Sequence, residues 1–186
     1  MKEIEKLRAR IVELTGWKLY EPPRIVTDTS NWMNIIRGDI IRINGQDFIV
    51  KGNKHETRFG IGEQPKYWVF SVIDMESGKQ KIIKTEFNEE FMAHIGIFKV
   101  RCYRSPDKEG KVLDIVKGDE RFMQGYSAYD EKGNNVRVID YIKGETFFNY
   151  IFHIKKSHEQ YFHEDLGRLL WKLTDSIEAI EFLHKK

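Results

Sequence analysis

The chain has 186 residues, 31 of them basic and 29 acidic, for a formal net charge of +2, and 40% are hydrophobic. This balance describes a globular domain long enough to bury a core; it excludes a disordered tail and the basic footprint of a nucleic-acid binder. Cys102 is the single cysteine, which excludes a disulfide framework and a cysteine-based zinc site.

Residues 2–15 place Ile4, Leu7, Ile11 and Leu14 at spacings of three and four with charges between them, the pattern of an amphipathic helix that stops at Gly16. The same charges break the continuous apolar run that a signal peptide needs, so the expected compartment is the cytoplasm. No stretch approaches the ~20 apolar residues of a membrane span, so no membrane contact is expected. Pro22 and Pro23 then forbid helix. The run IIRGDIIRINGQDFIVKG reads as two strands joined at Asn44-Gly45, the favoured pair of a tight hairpin turn. A Gly-bearing loop, ETRFGIGEQPK, follows. Next come the strand YWVFSVID, the turn MESGKQ and the strand KIIKTEF.

SPDKEGKVLDIVKG reads as a helix. Ser105 caps it, Pro106 suits its first position and Asp107 favours its dipole. Val112, Leu113 and Val116 are its expected buried stripe, and Gly118 its stop. Strands around FMQGYSAYD and NNVRVIDYI flank a turn at Lys132-Gly133-Asn134, and the pattern beyond Gly144 is helical. The last helix, near 164–184, carries Leu166, Leu169, Leu170, Leu173, Ile177, Ile180 and Leu183, with Trp171, Ala179 and Phe182 off that stripe. A helix apolar on more than one face predicts self-association, so a homodimer through 164–184 is expected. His158 and His163 stand five apart, on different helix faces, which argues against a zinc pair. The fold class is α+β.

Two charged residues fall where apolar neighbours are expected. Lys84 shares a strand face with Ile82, and Glu109 precedes Val112 and Leu113 by three and four residues. Either they pair across a sheet–helix interface, or Lys84 snorkels and Glu109 is a solvated first-turn acid.

In order, these segments resemble the small lobe of the protein-kinase-like superfamily, in particular bacterial serine/threonine protein kinases. YWVFSVIDMESGKQKIIK is similar to the family's second and third strands, with Val69 fifteen positions before Lys84. SPDKEGKVLDIV is similar to the family's αC helix, NVRVIDYIKGETFFNYI to its fifth strand and hinge, and LLWKLTDSIEAIEFLHKK to the helix before its catalytic loop. The resemblance covers roughly residues 46–186. It implies a lobe of five antiparallel strands plus the αC-type helix over 46–142. An N-terminal helix and β-hairpin extension precedes it at 1–45, and the start of a second lobe follows at 143–186.

The resemblance also implies an ATP site in which Lys84 orients the phosphates and Glu109 holds Lys84 extended. Val69 and Ile82 would flank adenine, with Ile139 as the gatekeeper. Asp140 and Ile142 would offer backbone groups on either side of Tyr141, and Glu145 would reach the ribose. Gly60 and Gly62 would line a phosphate loop, although their spacing departs from the family's G-x-G-x-x-G. No H-R-D loop or D-F-G occurs in the chain. The family's catalytic loop would begin where the sequence ends, at Lys186. The expectation is therefore an inactive N-terminal part of a longer kinase, with Mg²⁺ entering only in the intact protein and the acceptor substrate unspecified. The alternative is a non-catalytic binding or regulatory module in which Lys84 and Glu109 form a structural pair.

Overall fold

The computed structural model describes residues 2–53, 68–144, 150, 153 and 155–186. It divides into two compact units, one of residues 1–118 with 123–141, the other of 119–122 with 142–186. In the first unit, α1 (Lys2–Thr15) precedes β1 (Ile25–Val26), a 3-10 turn (Trp32–Asn34), β2 (Ile40–Ile43) and β3 (Gln46–Asn53). Then follow β4 (Val69–Asp74), β5 (Gln80–Lys84), the hairpin β6 (Glu89–Ile95) and β7 (Phe98–Arg104), α2 (Pro106–Ile115), β8 (Gly125–Tyr129) and β9 (Asn135–Asp140).

One sheet organises the unit, in the order β1-β2-β3-β4-β5-β9-β8, with every neighbour antiparallel except the parallel pair β1–β2. It has seven strands where five were expected. The added pair comes from the N-terminal stretch: the apolar run Ile40, Ile41 and Ile43 pairs with β3 across Asn44-Gly45. That turn holds Asn44 at φ +50° and Gly45 at φ +78°, the left-handed values a tight hairpin requires. Residues 25–26 and 40–43 are therefore part of the sheet, because an apolar strand with an adjacent partner does not stop at a boundary drawn by resemblance.

Both faces of the sheet are covered. On one, Phe48, Val50, Phe70, Val72, Ile83, Val136 and Val138 form a core against Ile35, Val26 and Trp32. On the other, Ile40, Ile49 and Ile73 pack with Ile11, Leu7, Leu14 and Trp17. The α1 stripe expected from spacing is thus the buried one, although Ile4 is exposed.

The hairpin of β6 and β7 forms a separate two-stranded sheet between β5 and α2, turning at Gly96 with φ +60°. The sequence reading did not anticipate it. Its register places Phe91, Ala93, Val100 and Cys102 on one face and Met92, His94, Lys99 and Arg101 on the other.

At the N-terminus of α2, Ser105 Oγ accepts from Lys108 N at 3.2 Å and Pro106 opens the first turn, as the sequence predicts. The buried stripe differs from the expected one. Leu113 and Val116 are buried, but Val112 is exposed, and Pro106 and Gly110 take its place. Positions 106, 110 and 113 follow the helical repeat along one side, which 112 does not. Gly110 matters for approach: a Cβ there would lie 2.4 Å from Ser127 Oγ and 3.3 Å from Ser127 Cβ, so its absence lets α2 settle against β8.

Asp130, buried at the β8–β9 turn, ties the N-terminal segment to the sheet. Its carboxylate accepts from Thr29 N at 2.7 Å, Thr29 Oγ1 at 2.8 Å, Asn134 Nδ2 at 2.8 Å and the backbone N–H groups of Lys132 and Asn134.

The second unit contains α3 (His158–Gln160), a π turn (Tyr161–Asp165) and α4 (Leu166–His184). Ser157 and Gln160 close a reciprocal capping box at its start. Buried Asp165 accepts from Lys156 Nζ at 2.6 Å, Arg168 Nη2 at 2.8 Å and Tyr150 OH at 3.3 Å. Leu169 and Ala179 of α4 are buried, while Leu170, Trp171, Leu173, Ile177 and Ile180 are exposed. No helix is long and apolar enough to cross a membrane among the described residues.

Burial acts to raise the Asp130 pKa, but the hydrogen bonds from Asn134 and Thr29 outweigh it and hold the carboxyl below its ordinary value. A carboxyl depressed in the folded state contributes stability above its unfolded pKa of about 3.9 and loses it as pH falls through the folded value. Asp130→Asn is expected to cost about 1–3 kcal/mol at pH 7 in urea unfolding. The gap to the wild type should narrow as the pH drops below about 4.

Candidate functional site

The register of three strands builds the site. Val69 of β4 stands opposite Lys84 of β5, and Lys84 stands opposite Arg137 of β9. Ser127 of β8 completes that row. The next row on the same face runs Gly52, Ser71, Ile82, Ile139 and Gly125. By strand alternation, the residues that α1 covers (Ile40, Ile49 and Ile73) lie on this face too, one row further along. Helix α2 rests toward the other edge through Gly110 and Ser127.

Glu109, in the first turns of α2, reaches the row of Lys84. Its Oε1 forms an ion pair with Lys84 Nζ, and its Oε2 accepts from Arg137 Nε at 3.2 Å. The side chains of Lys84 and Glu109 are 23% and 29% exposed, while that of Arg137 is only 4% exposed. The two terminal nitrogens of the guanidinium also find acceptors inside the protein: Nη1 donates to Asn135 O at 3.2 Å and Nη2 to Thr85 O at 3.1 Å. Desolvation lowers the Arg137 pKa, opposed by Glu109, Glu86 and Asp107. An arginine stays charged under such a shift.

Neighbouring contacts fix the ends of this arrangement. Asn135 Nδ2 donates to Asp107 Oδ1 at 2.7 Å, which ties β9 to the first turn of α2. Asn135 N donates to Glu86 Oε2 at 3.0 Å. Buried Thr85 donates its N–H to Trp68 O at 2.9 Å, and Trp68 stacks on Phe87 with ring centroids 3.8 Å apart.

Other residues singled out from the sequence fall around this core. Val69 and Ile139 are buried and Ile82 is half-buried, all on the Lys84 face. The Asp140 N–H is engaged within the fold, donating to Gln124 O at 2.9 Å, and its carboxylate pairs with Lys81. Tyr141 ends the first unit, and exposed Ile142 begins the second. Gly60, Gly62 and Glu145 lie outside the described residues. Among the described residues, no three His, Cys, Asp or Glu side chains gather in a way that could hold a metal ion.

No family model, curated protein or solved structure matches this chain. The chemistry of the site therefore rests on its own geometry. A partly exposed ammonium, positioned by a carboxylate above an apolar row, fits an anionic ligand that also carries an apolar group. Sequence reasoning missed Arg137, although a signal was present: an arginine centred in NVRVID, flanked by Val136 and Val138, is a charge set into a buried strand.

Because Arg137 is buried, removing its anion leaves an uncompensated charge, whereas removing Lys84 leaves the Glu109–Arg137 pair intact. Glu109→Gln is expected to destabilise by about 3 kcal/mol. Lys84→Ala should cost about 1 kcal/mol or less. Urea unfolding of the two variants side by side measures the asymmetry.

Proposed function

We propose that the chain carries the ATP-binding part of a protein-kinase-like phosphotransferase, with Lys84 as the phosphate-orienting lysine and Glu109 as its partner. The observation that carries this reading is the Lys84–Glu109 ion pair joining the middle of the antiparallel run β3-β4-β5-β9-β8 to a helix inserted between β5 and β8. In phosphoryl transfer the protein works chiefly by positioning and charge stabilisation, and a lysine held by a carboxylate supplies both. Val69 and Ile82 beside Lys84 supply the apolar surface for adenine, and Ile139 the wall behind it. The reading gives these residues nucleotide binding rather than complete catalysis, and it names no acceptor. Mg²⁺, when present with ATP, would neutralise phosphate charge.

The test is a titration of the 186-residue chain with ATP, with and without Mg²⁺, followed by calorimetry. Binding with a dissociation constant of about 1 mM or tighter is expected, weakened roughly tenfold or more by Lys84→Ala. Absence of binding by the wild type would sink the reading. The binding-module alternative would then stand, favoured by the hairpin of β6 and β7, whose Ile97 is 92% exposed and Phe98 67%.

The proposal also pairs two chains through α4, on which Trp171 is 72% exposed and Leu170 and Ile177 are exposed as well. Sedimentation velocity is expected to show a dimer that Trp171→Asp returns to monomer. A wild type that stays monomeric at high concentration would contradict this part.

A further inference from the structure

Two cations share the carboxylate of Glu109, one on each oxygen: Lys84 takes Oε1 and Arg137 takes Oε2. The two differ in their freedom. Lys84 ends its strand with a partly exposed side chain. Arg137 is enclosed, and two backbone carbonyls, those of Asn135 and Thr85, fix its guanidinium plane. Among the described residues, Glu109 is the anion in direct contact with that guanidinium; Glu86 and Asp107 act on it electrostatically. Should α2 withdraw, Lys84 can turn to water but Arg137 cannot, so the buried guanidinium opposes any such movement. Gly110, packed close on Ser127, and the Asn135–Asp107 hydrogen bond press the helix toward the same place.

Resting on the nucleotide reading above, we propose that Arg137 is the positioning residue of this site: it anchors Glu109, and with it α2, where Glu109 meets Lys84, whether or not nucleotide is bound. The Lys84–Glu109 pair is then a standing feature of the protein and not one that ligand or partner must assemble. The anchor also divides the carboxylate. Because Arg137 occupies Oε2, Lys84 receives only part of the Glu109 charge, and the three groups together keep one net positive charge facing a phosphate. Without Arg137 the carboxylate loses the contact on Oε2, one of the contacts that hold α2 on the sheet.

The experiment compares the full chain with Arg137→Met, which keeps an unbranched apolar stem but removes the charged guanidinium. Arg137→Lys serves as the second variant, keeping the charge without the planar fork. Two readouts are taken on each: amide hydrogen exchange of residues 107–113, and the affinities for ATP and for adenosine. Arg137→Met is expected to speed exchange in α2 by about tenfold and weaken ATP by a similar factor, in line with losing a hydrogen bond to a charged group. Adenosine affinity, which does not use Lys84, should change by less than about twofold. Arg137→Lys should recover part of both losses.

A general loss of structure would weaken ATP and adenosine alike, and that result overturns the proposal. So does unchanged α2 exchange in both variants. If Arg137→Met does not fold, Arg137→Lys decides on the same criteria. If the wild type binds neither ATP nor adenosine, the nucleotide reading fails by itself, and the anchoring of α2 is decided by exchange alone.

Discussion

Glu109 is the carboxylate on which the rest of the first unit converges. It is an anion in direct contact with a guanidinium that the sheet has buried, and it is also the partner of a lysine that the sheet leaves partly open. Such a cation is costly inside a protein unless its charge and hydrogen bonds are met, and here each of the three guanidinium nitrogens has an acceptor: one is Glu109 and two are backbone carbonyls. This requirement links elements far apart in sequence. The register of β5 and β9 must set Lys84 opposite Arg137, and α2 must come close enough for one glutamate to reach both. A side chain at position 110 would hold the helix off β8.

The sheet can meet that demand because both of its faces are supported. Val26, Trp32 and Ile35 close the face opposite Lys84, and the buried Asp130 fastens the adjoining segment through Thr29. On the Lys84 face, α1 packs over Ile40, Ile49 and Ile73. Between the two helices lies the row of Ser71 and Ile82, beside Val69 and Lys84. The N-terminal residues thus help define the surroundings of the site as well as extending the sheet.

Much of the local structure was legible in the chain itself. Spacing marked α1, the Ser105–Pro106 start announced α2, and Asn44-Gly45 announced its hairpin, because caps, turns and periodicity are settled by residues within a few positions of each other. Lys84 and Glu109 also stood out, since each is a charge set among apolar neighbours. The hairpin of β6 and β7 was missed although its alternation was present, for its strands carry exposed apolar residues and mixed charges that resemble neither a core strand nor a loop. In the buried stripe of α2, Leu113 and Val116 follow the sequence but Val112 does not, because the close approach of the helix to the sheet puts Gly110 on the buried side instead.

By itself, then, the sequence determined most helices and strands other than β1, β6 and β7, where most of them begin, and that position 84 bears a cation and position 109 an anion in apolar settings. The tertiary structure alone decided that they meet, that Arg137 is the third member, and that two N-terminal strands widen the sheet to seven. The reason is physical. Propensity and capping act over a few residues, whereas strand register joins residues more than fifty positions apart, and only that register reveals which charges must share one carboxylate.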